Sequence, residues 1–304
     1  MIPAAFDYVA PQSVKEAIGL LEKHGDDAKI LAGGHSLLPI MKLRLAQPKV
    51  LVDIGRIGGL DDIKADGQRI VLGPLVTHDA VEHSALLKDK CPLLCEAAAV
   101  IGDMQVRNRG TLGGSLAHAD PAADYPAAIL ALEAEIVATG PKGTRTVKAG
   151  DFFVEMLTTA LGPNEIITEV RVPALARGTG SAYQKHAHPA SGYAVVGVAT
   201  VVTMSGGKCE RAAVGITGVT GKAYRAAAVE KALIGQALDE ATVAKAAAHA
   251  ADGVEPQGDL YASGKFRAHL ATVYTKRAVM AAAFATAASS RAWPISAFST
   301  AAAR

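Results

Sequence analysis

Two short stretches of this 304-residue sequence combine the residue types that hold anions. In "ILAGGHSLLP" an apolar run gives way at Ala32 to Gly33, Gly34, His35 and Ser36. Glycine has no Cβ, so a Gly-Gly pair can adopt positive φ and aim successive N–H groups at one point. Such a nest suits a pyrophosphate, which carries negative charge and many acceptor oxygens. His35 and Ser36 add side-chain donors at the same place. Further on, "TLGGS" (Thr111, Leu112, Gly113, Gly114 and Ser115) repeats the order hydroxyl, apolar residue, Gly-Gly, hydroxyl. Either stretch alone reads equally well as a tight turn. Together they predict a long diphosphate-containing ligand gripped from both sides. Neither fits G-x-G-x-x-G or G-x-x-x-x-G-K-[ST], so a Rossmann or P-loop cradle is excluded.

Other chemistry-bearing side chains follow. "AHADPAADYP" carries Asp120 and Asp124, either of which could accept from sugar hydroxyls or cap the helix beginning near Pro126. In "YQKHAHPASGYAVV", Lys185 and Tyr193 flank a Pro-Gly loop, where a lysine is ordinarily solvated and a tyrosine half in the core. Cys91, Cys95 and Cys209 are an odd set without neighbouring ligands. They read as buried thiols in a reducing compartment, and the chain is expected to hold no metal.

The elements that position these groups are legible in part. "PQSVKEAIGLLEKHG" signals a helix, with Ser13 as N-cap, Glu16 as its capping-box partner and His24-Gly25 at its end. "AKILAGG" and "KVLVDIG" read as buried strands, with "SLLPIMKLRL" between them helical if Pro39 lies in the first turn. Thr77 caps a helix, "PLLCEAAAVI" forms another, and "RNRGTLGGSLAHADPAADYP" is long and non-periodic, which marks it as functional. A hairpin turns at residues 140–143, and "NEIITEVRVP" is an alternating strand. "ALARGTGS" is the expected linker. Beyond it come three strands, "SAYQKHA", "YAVVGVATVVTM" and "KCERAAVGITGV", and then three helices. Strands followed by helices predict α+β.

The balance of 31 Lys and Arg against 29 Asp and Glu leaves a net charge of +2 with no basic block, which argues against a nucleic-acid partner. No signal-peptide pattern and no transmembrane segment is present, so a cytoplasmic protein is expected.

"AGGHSLLP", "RNRGTLGGSLAHADPAADYP" and "YQKHAHPASGYA" together resemble the FAD-binding medium subunit of the molybdenum hydroxylases. That family includes carbon monoxide, aldehyde, N-heterocycle and xanthine dehydrogenases. The likeness extends over about residues 1 to 285 and implies an α+β chain. Residues 1–177 would form a vanillyl-alcohol-oxidase-type FAD-binding domain of two α/β subdomains. Residues 178–285 would form a domain of three antiparallel strands and three helices, and 286–304 a mobile tail.

Carried over residue by residue, Ala32, Gly33, Gly34, His35 and Ser36 would make one pyrophosphate loop, and Thr111, Leu112, Gly113, Gly114 and Ser115 the other. Asp124 would bond a sugar hydroxyl, Ile101 and Ile167 would supply apolar contacts, and Lys185 and Tyr193 would lie near the flavin. The resemblance implies no acid or base on this chain, only a non-covalent FAD that relays electrons. Molybdenum cofactor and two 2Fe-2S clusters would sit on a large and a small partner subunit, in a dimer of heterotrimers. Three cysteines cannot supply the four ligands of a cluster. Leu112 and Ser115 stand where the carbon monoxide enzymes carry Ile and Asn, which leaves carbon monoxide, an aldehyde or an N-heterocycle as substrate. The competing expectation is a stand-alone oxidase of the same superfold with flavin bonded covalently to His35.

Overall fold

The computed structural model describes residues 1–290, with side chains through residue 286. The helix Val14–His24 begins as its sequence signals: Ser13 accepts from the Glu16 N–H at 3.2 Å, and Gly25 ends it at φ 52°. The Glu16 carboxylate reaches back one residue further than a capping box requires, to the Gln12 N–H at 2.8 Å. The helix buries Ala17, Ile18 and Leu21 against a parallel sheet of three strands, ordered Asp7–Val9, Val50–Asp53, Ala28–Leu31. Pro39 falls in the first turn of the helix Leu37–Lys42, where its missing N–H costs nothing.

A second sheet is antiparallel throughout, in the order Ile63–Asp66, Arg69–Leu72, Ile166–Pro173, Glu135–Gly140, Gly143–Lys148. Its apolar side chains share a core with the helices His78–His83, Pro92–Ala99 and Tyr125–Ala131. Cys91 caps the second of these, and all three cysteines are free and buried. One expectation is corrected here. The stretch holding "TLGGS" is not irregular, because Leu112–His118 is helical. Two glycines in the first turn weaken the propensity signal, and tertiary burial of Leu112 and Leu116 overrides it.

After a connector over residues 174–178 come four strands rather than three. Thr179–Ala187, Ala194–Ser205 and Lys208–Thr217 are joined by a short fourth, Tyr224–Arg225. Tyr224 and Arg225 pair with Ile216 and Gly215, and the helix that follows begins at Ala227. Helices Glu240–Ala247 and Gly264–Ser290 complete this half. The last of them continues past residue 285, and residues 291–304 of the expected mobile tail lie outside the described residues.

The largest core ignores the connector. Tyr183, Ala199, Val201 and Ala213 of the C-terminal sheet share one apolar cluster with Leu112, Ala127 and Ile129. Gly215 lies so close to the helix Tyr125–Ala131 that a Cβ there would stand 2.1 Å from the Ala127 carbonyl oxygen.

Candidate functional site

A cleft of about 600 Å³ runs between the parallel sheet and the antiparallel one, with the two glycine stretches side by side on its wall. The first leaves the strand Ala28–Leu31 as a true turn, in which Gly34 has φ 76°. Gly33 serves close approach instead, since a Cβ there would lie 2.0 Å from the Arg109 carbonyl oxygen. Among the described residues the N–H groups of Gly34, His35 and Ser36 have no backbone partner. They border the cleft and remain available to an acceptor there. The His35 Nδ1 lies 3.0 Å from the Gly33 oxygen, which holds the ring at the loop.

The second stretch is built differently. Thr111 is an N-cap whose hydroxyl accepts from the Gly114 N–H at 3.1 Å. Leu112 and Gly113 donate to the carbonyls of Val76 and Pro74, each at 2.9 Å, and Ser115 donates to Thr111 at 3.0 Å. These amides are engaged, so this is not a second open nest. Gly113 is small because Pro74 packs on it, where a Cβ would come within 2.4 Å. The Ser115 hydroxyl and the backbone of Gly113 and Gly114 still border the cleft.

Ala32, Ile101, Thr111, Asp124, Ile167 and Tyr193 also line it. Leu112 does not, being wholly buried in the core. Lys185 does not either. It stands behind Asp124, donating at 2.9 Å to that carboxylate and at 2.9 Å to the Val100 carbonyl. Asp124 precedes the helix Tyr125–Ala131 but makes no side-chain cap bond. Its other oxygen accepts from the Tyr183 hydroxyl at 2.7 Å. Burial pushes its pKa up to about 6, against the opposing pull of Lys185 and the Tyr183 hydrogen bond. The Tyr193 phenol is raised by its surroundings and by Asp120 and Asp124.

Sequence reasoning missed part of the wall. Pro74 and His78 line it, and so does the turn around Gly162, Pro163 and Glu165. Burial, with His35 and Arg107 nearby, lowers His78 to about 4 and keeps it neutral. Its signal was available, since it directly follows the N-cap Thr77. Glu165 closes its own turn by accepting from the Gly162 N–H at 2.6 Å, and Arg145 holds its carboxyl low. That turn carries no motif.

Comparison with known proteins agrees with this geometry. Residues 4–175 match the family model "FAD binding domain in molybdopterin dehydrogenase", and residues 181–282 match "CO dehydrogenase flavoprotein C-terminal domain". This chain belongs to the FAD-binding medium subunits of the molybdenum hydroxylases. The carbon monoxide dehydrogenase medium chain of Hydrogenophaga pseudoflava is 44% identical over 93% of this chain and 98% of its own. The glyceraldehyde dehydrogenase medium chain of Sulfolobus acidocaldarius is 36% identical over 91% and 98%. Among solved structures, carbon monoxide dehydrogenase from Hydrogenophaga pseudoflava superposes with TM-score 0.90 at 46% identity, covering 93% of this chain and 98% of that one. Quinoline 2-oxidoreductase from Pseudomonas putida 86 does so with TM-score 0.89 at 34% identity, covering 96% and 100%. The chain is thus a flavoprotein component of a molybdenum-containing dehydrogenase, and no helix among the described residues is long and apolar enough to cross a membrane.

The cleft fits such a medium subunit's flavin on its own terms. The N–H groups of Gly34, His35 and Ser36 are left without backbone partners beside the cleft, Gly33 next to them sits too close to the Arg109 carbonyl for a Cβ, and the apolar Ile101 and Ile167 offer surface for a flat ring system. FAD supplies the electron-accepting chemistry, while this chain binds and orients it.

Proposed function

We propose that this chain carries non-covalent FAD as the electron-transfer subunit of its complex. It would receive electrons from two 2Fe-2S clusters on a small partner subunit and deliver them to an external acceptor. A large subunit bearing the molybdenum cofactor would oxidise the substrate, carbon monoxide or an aldehyde or N-heterocycle. Relatives named for carbon monoxide, glyceraldehyde and caffeine dehydrogenases support that range. The assembly would be a cytoplasmic dimer of heterotrimers.

The observation that carries this reading is the group of unpartnered N–H donors at Gly34, His35 and Ser36 facing the cleft. In the proposal they hold the diphosphate, assisted by Ala32, Gly33, Thr111, Gly113, Gly114 and Ser115. Leu112 supports that wall from the core. Asp124 takes a ribityl or ribose hydroxyl, Ile101, Ile167 and Tyr193 pack on the rings, and Lys185 acts through Asp124. The test is acid precipitation of the purified protein followed by absorption of the supernatant. About one free FAD per chain is expected. Flavin that stays on the denatured chain would instead indicate the covalent oxidase, and a folded, colourless protein that FAD cannot reload would overturn the reading.

A further inference from the structure

The Asp124 carboxylate is 4% exposed as a residue, and both its oxygens are claimed by one strand of the C-terminal sheet. Tyr183 donates its hydroxyl to one, and Lys185, two residues on, donates to the other. The same lysine bonds the Val100 carbonyl, beside Ile101 and Gly102 of the cleft wall. Tyr183 is fixed from behind, because its own N–H donates to Glu96 at 2.8 Å. The opposing strand leaves room for the phenol: a Cβ at Gly197 would stand 2.3 Å from the Tyr183 hydroxyl oxygen. One residue of the C-terminal sheet therefore ties two parts of the FAD-binding half together, its backbone N–H on Glu96 of a helix and its phenol on a carboxylate at the cleft.

We propose that Tyr183 is a positioning residue for the cofactor: together with Lys185 it aims Asp124 and lets the C-terminal sheet hold the wall of the FAD cleft closed. The inference rests on the flavin reading above. Other ionisable groups facing this carboxylate are Tyr125 on its own helix and Tyr193 in the loop before the next strand, with Asp120 close to Tyr193. Neither tyrosine donates to the Asp124 carboxylate. Protonation of Asp124 relieves its own burial but removes the counter-ion that holds Lys185 against the Val100 carbonyl, which loosens the cleft wall there without unfolding the chain. Cofactor retention then falls on acidification around pH 6.

The experiment follows flavin per chain after gel filtration between pH 5 and 8, on the protein as purified with any partner subunits. Tyr183→Phe removes one interaction that stabilises the ionised carboxylate, so the acid midpoint should rise by about one unit. Gly197→Ala, which displaces the phenol, should do the same. Asp124→Asn should abolish the step. A uniform loss of flavin in Tyr183→Phe with an unmoved midpoint would mean a structural role only and overturn the inference. So would an acid step near pH 6 that persists in Asp124→Asn, a result that can be read even if the other two variants do not fold. Flavin absent from the unmutated protein at every pH would overturn the functional reading itself, and is distinguishable from these.

Discussion

Gly33 makes the tightest demand on the cleft. A methyl group placed 2.0 Å from the Arg109 oxygen must push the two glycine stretches apart. Gly33→Ala is expected to cost about 1–3 kcal/mol or more in urea unfolding and to empty the cleft of flavin in an absorption spectrum. His78 and Asp124 pull stability in opposite directions with pH. The His78 pKa, about 4, lies below its unfolded value, so the folded chain binds fewer protons and stability from this group rises with pH from about 4 to 6.5. Asp124 is raised to about 6, so its contribution falls as pH rises from about 4 to 6. The two slopes largely cancel. His78→Gln should expose the Asp124 slope, a stability that declines between pH 4 and 6, and a denaturation series over that range checks it. Much of this was legible: Gly-Gly-His-Ser has no helical reading, and its residue types named an anion nest. The pairing of Lys185 with Asp124 was not legible, because a strand residue gives no sign of which buried carboxylate lies across from it.

At the scale of elements, capping chemistry was the most readable signal. Ser13 and Thr77 are N-caps as expected, each accepting a backbone N–H. Thr111 is also an N-cap, and its helix went unseen because glycines occupy the first turn. Thr111→Val should remove the bond from Gly114 and cost about 1 kcal/mol in chemical denaturation. The measurement should show a loss of that size with cooperative unfolding retained. The turn at residues 162–165 was illegible for a different reason. It contributes position rather than chemistry, and position depends on the pairing of Ile166–Pro173 with strands far away in sequence.

Across the whole molecule, the division near residue 178 marks a change of texture in the sequence and the gap between two matched family models. Packing does not respect it. Side chains from both halves fill one interior, and Gly215 brings the C-terminal sheet against the Ala127 backbone. Gly215→Ala should therefore destabilise the chain by about 1–3 kcal/mol, and because the clash lies between halves, calorimetry should still give a single transition shifted to lower temperature.

That shared interior also limits how such chains can be shuffled. A hybrid that joined the front half of one relative to the back half of another would cut no helix or strand at the seam. It would nevertheless bring together two partial interiors shaped for different neighbours. Successful hybrids should be those in which the partners of Tyr183, Val201 and Ala213 travel with them, whatever the similarity at the splice itself.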